Sequence, residues 1–76
     1  EIKTIPTEVG NLLKLEELFL NDNQINLIPI EICKLINLKK LFLFNNQITK
    51  IPTEIGNLIK LEKLHLSKNK IITTPK

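Results

Sequence analysis

Ile5-Pro6-Thr7-Glu8-Val9-Gly10-Asn11-Leu12 returns as Ile51-Pro52-Thr53-Glu54-Ile55-Gly56-Asn57-Leu58, with Ile28-Pro29-Ile30-Glu31-Ile32-Cys33-Lys34-Leu35 midway between them. The interval is 23 residues each time, and Pro6, Pro29, Pro52 and Pro75 all keep it. The rest of each unit keeps it as well. Leu15, Leu18, Leu20, Asn23 and Ile25 recur as Leu38, Leu41, Leu43, Asn46 and Ile48, and again as Leu61, Leu64, Leu66, Asn69 and Ile71. The pattern L-x-x-L-x-L-x-x-N-x-I therefore runs three times without a gap. A fixed period of this size marks a stack of small units, each unable to bury its apolar face until a neighbour covers it.

Within a unit, Leu18 and Leu20 alternate with Glu17, Phe19 and Asn21, the period-two signature of a half-buried strand. Leu41/Leu43 and Leu64/Leu66 repeat it. So short a strand needs the next unit's strand alongside, about 4.8 Å away in a parallel sheet. Asn23, Asn46 and Asn69 stand where each strand ends, and an Asn amide can bond the backbone groups that a tight turn leaves free. On the return side, Pro suits the first position of a helical turn, and Glu8, Glu31 and Glu54 fall near its positive end. Val9/Leu12, Ile32/Leu35 and Ile55/Leu58 are three apart and share a face. Gly10 and Gly56 lower helix propensity, so the expected helices are short and imperfect.

These units resemble 23-residue leucine-rich repeats of the intracellular type, whose second half reads I/L-P-x-E-I-x-x-L, and the resemblance covers essentially the whole chain. It implies an α/β fold: a right-handed solenoid, a horseshoe segment with short parallel strands on the concave face and helical or 3₁₀ turns on the convex face. It also implies that Asn23, Asn46 and Asn69 point inward as a structural ladder beneath the sheet. Residues 1–76 are expected to form a single domain of about three repeats (5–27, 28–50 and 51–73) with partial repeats at both ends.

The chain has 76 residues, of which 42% are hydrophobic and 25% charged, the balance of a globular protein; no apolar run approaches the roughly 20 residues needed to cross a bilayer. It opens without an initiator Met or a basic-then-apolar leader, so the expectation is a segment of a longer gene product, or one that follows a removed segment. Cys33 is the single cysteine and no Asn-x-Ser/Thr acceptor occurs, which points towards the cytoplasm and leaves a secreted or surface-exposed location open. The net charge of +3 conceals an asymmetry. Residues 1–38 carry three Lys against six acids, and residues 39–76 eight Lys against two. No cation is Arg, which disfavours nucleic acid as a partner.

The outward strand positions form columns along the stack: Phe19, Phe42 and His65; Asn21, Phe44 and Ser67; Glu17, Lys40 and Lys63; Asp22, Asn45 and Lys68; and Gln24, Gln47 and Lys70 just after. All three phenylalanines fall at expected exposed positions, and a cluster of aromatics in water marks an interface. The expected partner-binding face comprises Phe19, Asn21, Lys40, Phe42, Phe44, Lys63, His65 and Ser67. No catalytic, cofactor-binding or metal-binding set is expected. Cys33 belongs to the return segment and His65 to a strand, and no Gly-rich phosphate loop occurs. The function expected is therefore non-enzymatic: a protein-protein interaction module of the kind seen among adaptors, scaffolds and bacterial surface or effector proteins that the chain resembles. The alternative is a structural fragment of a longer array that self-associates through uncapped ends.

Overall fold

The computed structural model describes residues 2–72. Residue 73, at the end of the third expected unit, and the Thr74-Pro75 step lie outside the described residues. Three strands, β1 (Glu17–Phe19), β2 (Lys40–Phe42) and β3 (Lys63–His65), alternate with three 3₁₀ helices, η1 (Thr7–Asn11), η2 (Ile30–Lys34) and η3 (Thr53–Asn57). The helical component among the described residues is 3₁₀ rather than α. Pro6, Pro29 and Pro52 stand just ahead of these turns in extended conformation, with φ from −63° to −68°. Their carbonyls accept the first turn's hydrogen bonds from Val9, Ile32 and Ile55 at 3.1 Å. With Gly at the fourth residue of η1 and η3, a five-residue turn has no surplus propensity to lengthen itself.

The sheet is parallel in the order β1-β2-β3, and its register aligns residues 23 apart: Leu18 with Leu41 and Leu64, Phe19 with Phe42 and His65. Backbone pairing runs past the strands, from Leu20 N–H to the Phe42 carbonyl (2.8 Å) and from Asp22 N–H to the Phe44 carbonyl (3.0 Å). The next coil does the same with Leu43 to His65 and Asn45 to Ser67, both at 2.9 Å. One coil is thus hydrogen-bonded to the next across most of the sheet side.

The core lies between sheet and 3₁₀ turns and is densest in the middle coil. Ile32, Leu35, Leu38, Leu41, Leu43 and Ile48 are fully buried there, as is Ile25 at the end of the first coil, each a side chain whose burial contributes about 1.5–3 kcal/mol. Among the described residues the outer coils share the pattern but pack against one neighbour each. Leu41 is 0% exposed whereas Leu64 is 36% exposed, and Leu35 is 0% exposed whereas Leu12 is 52% exposed. Of the equivalent Leu12, Leu35 and Leu58, only Leu12 is exposed.

Below the sheet the three Asn side chains are linked through shared carbonyls. Asn46 Nδ2 donates to the carbonyls of Leu20 (3.0 Å), Leu43 (3.0 Å) and Phe44 (3.3 Å), and its Oδ1 accepts from Ile25 N–H (3.0 Å). Asn69 reaches the Leu43 carbonyl from the next coil (2.9 Å) and Asn23 reaches that of Leu20 (3.0 Å). Their Oδ1 atoms accept from Ile48 and Ile2 N–H at 3.0 Å. Side-chain hydrogen bonds thereby connect Asn23, Asn46 and Asn69 through the carbonyls of Leu20 and Leu43.

Candidate functional site

Parallel, in-register strands place side chains 23 apart directly beside one another, so each outward column becomes a row of touching groups. The Phe19 and Phe42 rings stack with centroids 4.8 Å apart and planes 24° from parallel. His65 lies against the other side of Phe42 at 4.4 Å with a 41° tilt, and Phe44 approaches Phe42 at 6.3 Å and 52°. Phe42 is therefore the hub of a four-ring cluster. Phe42 and Phe44 are half-buried by their neighbours, and Phe19 stays 54% exposed. None of the three phenylalanines joins the core. Such pairs contribute about 0.5–1.5 kcal/mol beyond area burial and hold a rigid apolar platform open to solvent.

Charge surrounds this platform unevenly. Lys40 Nζ lies 3.7 Å from Glu17 Oε2, a solvent-screened pair, while Lys63 at the end of the same column is exposed. Asn21 is turned to Asp22, with its Nδ2 donating to Oδ2 at 2.8 Å, and Asn45 Nδ2 donates to Asp22 Oδ1 at 2.8 Å. These two amides, Asn45 foremost, hold the Asp22 carboxyl below its ordinary range, aided by the Lys68 charge and opposed by slight desolvation. Ser67 is exposed beyond β3, and its carbonyl accepts from Asn45 N–H and from Asn69 Nδ2. Phe19, Lys40, Phe42, Phe44, Lys63 and His65 thus share the sheet's outer side, with Asn21 and Ser67 at its rim.

Three features escaped the sequence reading. Asp22, Asn45 and Lys68 adopt left-handed backbone, at φ 62°, 59° and 57°. Asn and Asp are the side-chain-bearing residues most tolerant of that region, so the Asp22/Asn45 column carried the signal and Lys68 departs from it. The Asp22–Asn45 bond ties the first two coils together at this turn. Third, Leu13, Ile36 and Ile59 form an exposed aliphatic column on the flank leading into the strands, beside Asn37, which donates to the Leu13 carbonyl at 2.8 Å and accepts from Lys60 Nζ at 3.0 Å.

Cys33 is buried on η2, and desolvation, then the Glu54 charge, pushes its thiol above its ordinary range, which disfavours the nucleophilic thiolate. His65 is exposed on β3 at the sheet side. Among the described residues no group of three or more His, Cys, Asp or Glu is placed to hold a metal ion, and no helix is long and apolar enough to cross a membrane.

The fold recurs in solved proteins. A leucine-rich repeat protein of Leptospira interrogans matches with a TM-score of 0.95 and 45% identity, over 99% of this chain and 19% of its own. A plant peptide hormone receptor solved in complex with RGF2 matches at 0.88 and 44%, over 93% and 12% respectively. The ectodomain of an Arabidopsis thaliana membrane receptor kinase, in complex with Casparian strip integrity factor 2, matches at 0.82 and 32%, over 88% and 8%. The chain therefore spans less than a fifth of each of these proteins. No curated protein sequence matches it. The family model for leucine-rich repeats in two copies matches residues 36–75, and that for a single leucine-rich repeat matches residues 14–35. With a 23-residue register, a three-stranded parallel sheet and matches to those models over 14–75, the chain belongs to the leucine-rich repeat family.

Proposed function

We propose that the chain is a binding module, not an enzyme, and that it holds a protein partner on the concave side of its sheet with the Phe42-centred platform as the anchor. The observation that carries this reading is the cluster itself. Phe19, Phe42 and His65 are in contact on the outer side of the sheet, where aromatic side chains cost free energy in water and gain it when a partner covers them. Phe44 extends the cluster beside Phe42, and Lys40 and Lys63 beside the rings, with Asn21 and Ser67 at the rim, supply the polar surround that such an anchor needs. The plant receptors of similar fold, a receptor kinase ectodomain and a peptide hormone receptor each solved in complex with a binding partner, support the class of function. The unpaired, buried thiol of Cys33 supports a reducing compartment. The test is affinity capture with the immobilised chain and with the Phe19→Ala/Phe42→Ala variant. Captured proteins should fall away with the double variant and remain with Ile59→Ser on the far flank. Undiminished capture by the double variant would remove the concave face from the function.

A second reading, self-association within or between arrays, draws on the exposed side chains of Leu12 and Leu13, which with Asn11, Lys14 and Leu15 line a largely apolar recess. It is checked by light scattering. A mass that rises with concentration and falls on Leu12→Ser supports it, and a constant monomer mass refutes it.

A further inference from the structure

We infer that the segment bound on this face is an acidic peptide in which an aromatic or large aliphatic side chain stands one to three residues from a carboxylate; this rests on the concave-face reading above. The argument is from the direction of charge across the platform. On the first coil the outward charges are negative, Glu17 and Asp22, and both are already engaged: Glu17 by Lys40, Asp22 by Asn21 and Asn45. On the third coil the outward charges are all positive, Lys63, Lys68 and Lys70, and all three side chains are exposed. Lys68 is felt by Asp22 across the stack, but among the described residues neither Lys63 nor Lys70 has an ion pair. Among the described residues the apolar platform is therefore flanked by matched charge beside β1 and by cations without an ion pair beside β3.

A partner filling the platform next to β3 is complementary only if it brings anions there. Strands lie about 4.8 Å apart and an extended peptide advances about 3.3 Å per residue. A side chain seated on Phe42 is thus separated from a carboxylate over β3 by one to three residues. Nucleic acid satisfies the charge less well, because the cations are Lys alone, without the planar fork that Arg offers a phosphate.

The experiment is selection from a phage-displayed library of random nonapeptides on the immobilised 76-residue chain, followed by affinity measurement of the enriched peptides. The expected products carry an excess of Asp and Glu close to one aromatic or large aliphatic residue. Their affinity should fall about tenfold or more with Lys63→Glu/Lys70→Glu, since each reversal removes an exposed attraction and adds a repulsion. Phe42→Ala should weaken them independently, and an oligothymidine strand should not compete. Peptides that depend on Phe42 yet show no acidic bias, or ignore the Lys reversals, overturn the inference and leave the concave-face reading standing. Competition by oligothymidine at similar affinity overturns the peptide assignment. Enriched peptides indifferent to Phe42→Ala, or no enrichment at all, overturn the concave-face reading and this inference with it.

Discussion

Replacing Asn46 with Ala tests how much of the fold's stability passes through the hydrogen bonds beneath the sheet. Asn46 is 7% exposed and makes four of them. The loss is not four full penalties, because the acceptors have other partners: Asn23 still serves the Leu20 carbonyl, Asn69 the Leu43 carbonyl, and Asp22 N–H the Phe44 carbonyl. The donor is different. Ile25 is fully buried and its N–H bonds to Asn46 Oδ1, so the truncation leaves a buried amide unpaired, at about 1–3 kcal/mol. With the vacated volume, the expected cost is about 2–4 kcal/mol. A chain of 76 residues has roughly 4–11 kcal/mol in all, so the variant sits near the edge of folding. Urea titration followed by circular dichroism measures the difference. Asn23→Ala is the internal control: its Oδ1 accepts from the exposed Ile2, and it should cost about 1 kcal/mol or less. Asn46→Asp separates chemistry from volume. It keeps an acceptor for Ile25 but sets a carboxylate against carbonyl oxygens, which raises its folded pKa above the unfolded value near 3.9. The stability it retains is then present below about pH 4 and lost as pH rises through the raised pKa, so the variant should regain ground in acid relative to its own value at neutral pH. If Asn46→Ala costs no more than Asn23→Ala, the hydrogen bonds of Asn46 do not hold the middle of the stack.

Three further outcomes follow from particular positions. A Cβ on Gly10 would stand 3.1 Å from the Glu31 carbonyl oxygen and 3.2 Å from Glu31 Cβ, whereas one on Gly56 meets nothing within 4 Å; Gly56→Ala should therefore gain about 0.4–1 kcal/mol and Gly10→Ala should fall at least about 1 kcal/mol below it, and equal effects would contradict the close approach. Lys68 holds left-handed backbone that favours Asn or Gly, so Lys68→Asn should raise the urea midpoint by an amount equivalent to about 0.5–1 kcal/mol, and no rise would argue against that backbone. Asp22 has its carboxyl held low by Asn45 and Asn21, so what it contributes is present above about pH 4 and disappears as pH falls through the depressed value; the stability difference between wild type and Asp22→Asn should shrink over that acid range, and a difference independent of pH would refute the assignment.

The amino-acid sequence by itself determined the period, the side of each coil that faces inward and the column to which every outward side chain belongs. A 23-residue repeat leaves an in-register stack as the arrangement in which Leu18, Leu41 and Leu64 can cover one another, and that register carries Phe19, Phe42 and His65 into one row. What the sequence could not rank is burial along the stack. Leu41 and Leu64 occupy equivalent positions, yet among the described residues one has coils on both sides and the other on one, and side-chain exposure depends on that neighbour rather than on the residue. The turn after each strand was likewise decided in three dimensions. Asp22 and Asn45 hold left-handed backbone with their N–H groups bonded to the Phe44 and Ser67 carbonyls of the next coil, and Lys68 adopts the same backbone at a turn where Asn69 Nδ2 bonds the Leu66 and Ser67 carbonyls, against the local preference that Lys brings. The four-ring cluster has the same origin: its members were legible as a column, but its hub was not, since Phe42 becomes half-buried only when flanking coils bring Phe19 and His65 against its two sides.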